Sequence, residues 1–256
     1  MQKLSALIFD VDGTLADTEK DGHLVAFNQA FKDIGLDWFW SEELYGELLA
    51  VTGGKERMKY YITEYSIKLN IDHLDEYIAE IHKNKTKIYN DLVAKGGLPL
   101  RTGVLRLFKE AREKGIKLAI ATTTTIDNVH TLLKSTIGDE SIEWFDVIAA
   151  GDVVANKKPA PDIYHYALEK MALDQSQCLV FEDSENGIKS SSQAGLETII
   201  TINNYTKNHD FDGALIVLDD LGEPDKDFKV IEGDAKGHKM VDMEMLQKLH
   251  QQAYAG

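Results

Sequence analysis

The sequence has one cysteine, four prolines and no apolar run near the roughly 20 residues that cross a bilayer. A single thiol excludes an intramolecular disulfide, and Cys178, set in the apolar run CLVFEDS, is expected to be a small core residue. Positive charge is also scarce: 28 lysines and arginines stand against 43 aspartates and glutamates, a formal charge of −15. That balance argues against nucleic acid or an anionic membrane as partner. It also requires any phosphate site to be inverted in sign locally, by a metal ion, lysines or backbone amides. P-loop, H-E-x-x-H and cysteine-rich zinc patterns are missing, which removes those chemistries. No charged-then-apolar signal opens the chain.

What is there begins with five short apolar runs, at 6–10, 117–123, 146–151, 178–184 and 197–202, and a sixth at 214–220. Most are separated by helix-length amphipathic segments, the pattern of an α/β protein with an open parallel sheet. From 17 to 95 the text changes, to Glu, Lys, Leu, Ile and Tyr at helical spacing. HLVAFNQAFKDIG sets Leu24, Phe27, Ala30, Phe31 and Ile34 on one face before Gly35, and 74–93 repeats the pattern through Leu74, Ile78, Ile81, Ile88 and Leu92. The expected organisation is a Rossmann-like core built from 1–16 and 96–256, with an all-helical cap inserted at 17–95. The chain should cross between them near 15–18 and 94–99. Trp38, Phe39 and Trp40 are expected to anchor cap helices together, and 241–252 reads as a closing helix.

The informative polar residues sit where the strands end: Asp10-Val11-Asp12-Gly13-Thr14, then Thr122 to Thr125, then Lys157-Lys158-Pro159, then Glu182-Asp183-Ser184. Each alone has an ordinary explanation, as an acidic turn, a helix cap, an exposed turn or a solvated pair. In an open parallel sheet, however, the carboxyl ends of the strands converge on one crevice. Four solvated accidents in that order are a poor explanation.

The set resembles the haloacid-dehalogenase-like superfamily of phosphoryl-transfer enzymes, whose four motifs match at Asp10–Thr14, Thr122, Lys158 and Glu182-Asp183. The resemblance implies a Mg²⁺-dependent reaction through an aspartyl-phosphate. Mg²⁺ takes oxygen ligands, which suits Asp10, Glu182, Asp183 and the backbone carbonyl of Asp12. Asp10 would be the nucleophile. Asp12, on the same side of an extended segment, would protonate the leaving oxygen and then deprotonate water. Thr122 would hydrogen-bond the phosphoryl group and Lys158 would offset its charge. Lys157 competes for that role, but the family's lysine directly precedes PxPD, as Lys158 does here.

Within the cap, Gly53-Gly54 opens a helix-like run and offers free amides, with Lys55 and Arg57 adding positive charge for a second phosphate. DTEKDGH, AFN, LYGELLAVTGGKER, ATTTT and NKKPAPDIY together resemble the CbbY-type phosphatases, which remove the C1 phosphate of xylulose-1,5-bisphosphate, an inhibitor of Rubisco. That resemblance implies a sugar-phosphate pocket lined by Glu19, His23, Tyr45, Gly53, Gly54, Lys55 and Arg57, with Thr123 beside Thr122. A β-phosphoglucomutase and a catalytically silent sugar-phosphate sensor are the competing readings. A monomer is expected, in a bacterial cytoplasm or a chloroplast stroma.

Overall fold

Strand β1 (Ala6–Phe9) is an inner strand, and β2 (Lys117–Thr122), β3 (Val147–Ala150), β4 (Cys178–Glu182), β5 (Glu197–Thr201), β6 (Ile216–Leu218) and β7 (Val230–Gly233) complete one sheet with it. The order is β3-β2-β1-β4-β5-β6-β7, parallel except for β7, which pairs antiparallel with β6. The structure is a computed structural model and describes residues 3–69 and 71–254.

The inner strands are buried on both faces, and their side chains alternate between two apolar layers. Leu7, Phe9, Leu118, Ile120, Leu179 and Phe181 join one, with Phe108, Leu132 and Leu246 from α5 (Val104–Glu113), α6 (Ile126–Thr136) and α9 (Met243–Ala253). Ala6, Ile8, Ala119, Ala121, Cys178 and Val180 join the other, under α7 (Asp162–Met171), with Ala194 just beyond α8 (Glu185–Gln193). Phe9 stacks on Phe181 at 4.5 Å and meets Phe108 edge-on at 5.0 Å. Phe9 is in register with both Ile120 and Phe181, so Asp10 leaves the sheet between two buried strands.

Between β1 and α5 lie a π-helical turn at Glu19–Leu24, α1 (Val25–Asp33), α2 (Glu42–Leu48), α3 (Gly54–Glu64) and α4 (Leu74–Ala94). Phe27, Phe31, Trp38, Trp40, Tyr45, Met58, Tyr61, Ile78 and Ile81 give this helical insert its own apolar cluster. Trp38 and Trp40 are buried, but Phe39 between them is 72% exposed, because neighbours in an extended segment point oppositely. It does not anchor anything inside the insert. Helix α4 serves both clusters: Ile78 and Ile81 pack in the insert, Tyr89 and Val93 in the sheet's core. Its buried face runs through Lys85, Tyr89 and Val93, while Ile88 and Leu92 are only half-buried. The outgoing and returning segments run side by side, Ala16 bridging Leu100 and the Arg101 N–H donating to the Leu15 carbonyl at 2.8 Å. No helix among the described residues is long and apolar enough to cross a membrane.

Candidate active site

At the carboxyl end of β1, Asp10 meets the tips of β4 and of the loop before α7. Lys158 Nζ lies 2.7 Å from Asp10 Oδ1, 2.5 Å from Glu182 Oε1 and 2.9 Å from the Ala121 carbonyl. Lys157 turns away and pairs with Asp152 at 2.7 Å. Tyr164 Oη also donates to Glu182 Oε1, at 2.6 Å, which fixes that carboxylate against Lys158. Asp183 accepts from Asn203 Nδ2 at 2.6 Å. Gly13 allows this packing: its φ is +84°, and a Cβ there would lie 2.4 Å from Asp183 Oδ2.

Asp10, Glu182 and Asp183 are buried and offer oxygens within 4.8 Å of one another. Burial raises Asp10 to about 7; Lys158 opposes the rise, and the Glu182 and Asp12 charges add to it. Burial likewise holds Asp183 well above the usual carboxylate range, with Asp10 and Glu182 adding to the effect. Lys158 pairs with Asp10 and Glu182, and Asp183 feels the charge of Arg101; hard oxygen donors short of positive charge are what a divalent cation requires. The donor set fits a metal ion. The Asp12 carboxylate stands outside this triad.

Asp12 faces the insert. Its Oδ1 accepts from Thr18 Oγ1 at 2.6 Å and lies 2.9 Å from His23 Nε2. His23 Nδ1 is 2.7 Å from Lys85 Nζ, and its ring stacks on Tyr89 at 4.1 Å. An ammonium only donates, so Lys85 makes Nδ1 the acceptor and leaves the ring proton on Nε2, facing Asp12. Burial alone would raise the Asp12 pKa, but His23, Thr18 and Lys85 together hold it below the usual range. Burial pulls Lys85 down to about 8 against the opposing charges of Asp12 and Glu19.

One cavity of about 280 Å³ joins these groups to the insert. Asp10, Asp12, Thr122, Thr123, Lys158, Glu182 and Asp183 line its sheet side; Glu19, His23, Gly53, Gly54 and Arg57 line the insert side. Tyr45 and Lys55 do not line it. Tyr45 is fully buried behind the wall, donating to Glu19 Oε2 at 2.5 Å and accepting from Arg57 Nη1 at 2.8 Å, so it braces two residues that do. Lys55 reaches across to Asp152 of the core at 2.7 Å instead. Lys85, His82 and Asn203 also line the cavity and were not anticipated. Lys85 had a signal, a lysine within the apolar stripe of α4, and Asn203 lies just past the tip of β5.

The profile of the haloacid dehalogenase-like hydrolases matches residues 7–201, a span that includes the insert and all four strand-tip clusters. The chain belongs to that family. Within it, the chain is similar to CbbY of Rhodobacter capsulatus, 47% identical over 219 residues that cover 86% of this chain and 94% of that protein. Crystal structures of CbbY from Rhodobacter sphaeroides, one with phosphate and one of a mutant with xylulose-1,5-bisphosphate, superpose with a TM-score of 0.79. They are 43% and 42% identical and cover 85% of this chain and 94% of theirs. A phosphorylated carbohydrates phosphatase of Thermotoga maritima is 30% identical over 77% of this chain and 84% of that protein. This haloacid dehalogenase-like hydrolase is an enzyme, a CbbY-type phosphatase.

Proposed function

We propose that the protein is a Mg²⁺-dependent phosphatase that removes the C1 phosphate of xylulose-1,5-bisphosphate and leaves xylulose 5-phosphate. The observation that carries this reading is a single cavity with two ends suited to phosphate. Lys158 and the acidic triad lie at one end, and Arg57 and Lys85, with the Gly53–Gly54 start of α3, at the other. A sugar bisphosphate offers one phosphate to each. The complex of the similar R. sphaeroides mutant with xylulose-1,5-bisphosphate supports the choice of sugar.

Asp10, Glu182, Asp183 and the Asp12 carbonyl would hold Mg²⁺, which when bound offsets the charge of the phosphoryl oxygens and the carboxylates. Asp10 attacks phosphorus, so that its new bond to phosphorus replaces the bond to the C1 oxygen. Lys158 and the Thr122 and Thr123 hydroxyls orient the phosphoryl oxygens. The leaving oxygen takes a proton from Asp12, and Asp12 later takes one from the water that opens the aspartyl-phosphate. Its contacts with Thr18 and His23 hold Asp12 ionised, which suits the second step; the first requires those contacts to loosen. Arg57 is fixed through Nε to the Leu48 and Val51 carbonyls and through Nη1 to Tyr45, and its remaining N–H groups are available to the C5 phosphate.

Phosphate release across sugar mono- and bisphosphates in Mg²⁺ tests the reading. The highest kcat/KM is expected for xylulose-1,5-bisphosphate, with one phosphate released per molecule. Efficient conversion of β-glucose 1-phosphate to glucose 6-phosphate, primed with the 1,6-bisphosphate, would make it a mutase. No turnover of any substrate would make it a sensor.

A further inference from the structure

Arg101 stands where the chain returns from the insert to the sheet, its side chain only 9% exposed and outside the catalytic cavity. A buried guanidinium is costly unless its donors are met. Here main-chain carbonyls from three strand-end segments meet them. Nη1 donates to the carbonyls of Gly13 and Thr201, the latter at 3.0 Å, and reaches Thr201 Oγ1 at 3.2 Å. Nη2 donates to the carbonyls of Ile202 at 2.5 Å and Asp219 at 2.8 Å, and Nε lies 3.5 Å from Asp17 Oδ1. Gly13 directly follows Asp12. Ile202 directly precedes Asn203, whose amide holds Asp183.

We propose that Arg101 is a positioning residue for phosphoryl transfer: its guanidinium ties the loop of Asp10 and Asp12 to the loop of Asn203, and so fixes the spacing between the nucleophile and Asp183. This role rests on the proposed division of work among those carboxylates. It requires a planar fork, because four carbonyls are met here from two separate nitrogens, and an ammonium has one nitrogen with three donors. A second cavity of about 450 Å³ opens at the side chain, lined by Arg101 itself, by Asp17, Asp21 and Asp219, and by the Asp220–Lys226 pair. A small cation can therefore reach the space that a truncated Arg101 would leave.

The test compares wild type, Arg101→Ala, Arg101→Lys and an Asp10→Asn control on xylulose-1,5-bisphosphate and on 4-nitrophenyl phosphate. Misplacement by about an ångström costs about 100-fold, so kcat should fall by that order on both substrates in both Arg101 variants, with KM little changed. Guanidinium ion at low millimolar concentration should restore about tenfold of the Arg101→Ala loss, and methylammonium none. Titration calorimetry should show Mg²⁺ bound several-fold more weakly by Arg101→Ala than by wild type. Wild-type kcat in either Arg101 variant, or no guanidinium rescue of a natively melting Arg101→Ala, would overturn the role. If Arg101→Ala does not fold, Arg101→Lys at wild-type kcat still overturns it. An active Asp10→Asn protein would instead defeat the proposed mechanism, a result separable from any effect at Arg101.

Discussion

Lys85 is an ammonium buried against an imidazole, and its depressed pKa of about 8 has two consequences with definite signs. Between pH 8 and the unfolded value of 10.5 the unfolded chain binds more protons than the folded one, so this group makes stability rise with pH across that window. Below pH 8 the full cost of the buried charge is present, and Lys85→Met should raise the melting temperature at pH 7. Function moves the other way. A neutral Lys85 amine can accept as well as donate, so loss of its proton no longer fixes the His23 tautomer that faces Asp12. The wild-type kcat/KM profile should therefore bend down above pH 8. Lys85→Met should be slower throughout and lack that bend. An identical basic limb in the variant would show that another group sets it.

At the scale of elements, the first turn of α3 touches the core through Lys55 and Asp152, whose side chains are 34% and 66% exposed. Such pairs contribute about 1 kcal/mol or less and weaken with salt. Lys55→Ala should lower kcat/KM by no more than about fivefold, equally for a bisphosphate and an aryl phosphate, and the loss should vanish in high salt. A loss confined to the bisphosphate would mean that Lys55 leaves Asp152 to hold the second phosphate.

Which elements can be read from the text follows from how each is buried. Strands β1, β2 and β4 lie between two apolar layers, so their runs are continuous and visible, and the buried carboxylates Asp10, Glu182 and Asp183 stand at the tips of β1 and β4. β7 is exposed at every position and pairs only at the sheet's edge, so no hydrophobic pattern marks it. The face of α4 is misleading because one buried position is a lysine, held by His23 and the rings of Phe27 and Tyr89. Tyr45 and Lys55 stand near the expected pocket in sequence, but the direction of a side chain from a helix is decided by packing. Tyr45 braces from behind and Lys55 points across the gap.

For the whole molecule, three of the 43 acidic residues are buried together, and Lys158 pairs with two of them, Asp10 and Glu182. Asp10, raised from 3.8 to about 7, binds more protons folded than unfolded between those values. The metal-free protein should therefore lose stability as pH rises from 4 to 7. Mg²⁺ binding to the folded state alone should flatten that slope. Melting temperatures across this range, with Mg²⁺ and with a chelator, check it. A slope unchanged by Mg²⁺ would place the metal elsewhere.

The chemistry is tested most directly by following both phosphorus resonances of xylulose-1,5-bisphosphate by NMR as the enzyme acts in Mg²⁺. With Asp10 at the sheet end and Arg57 at the insert end of one cavity, the C1 resonance should be replaced by that of inorganic phosphate. The C5 monoester should persist, and Asp10→Asn should leave both signals intact. Loss of the C5 phosphate first, or full activity in Asp10→Asn, would contradict this assignment of the two ends.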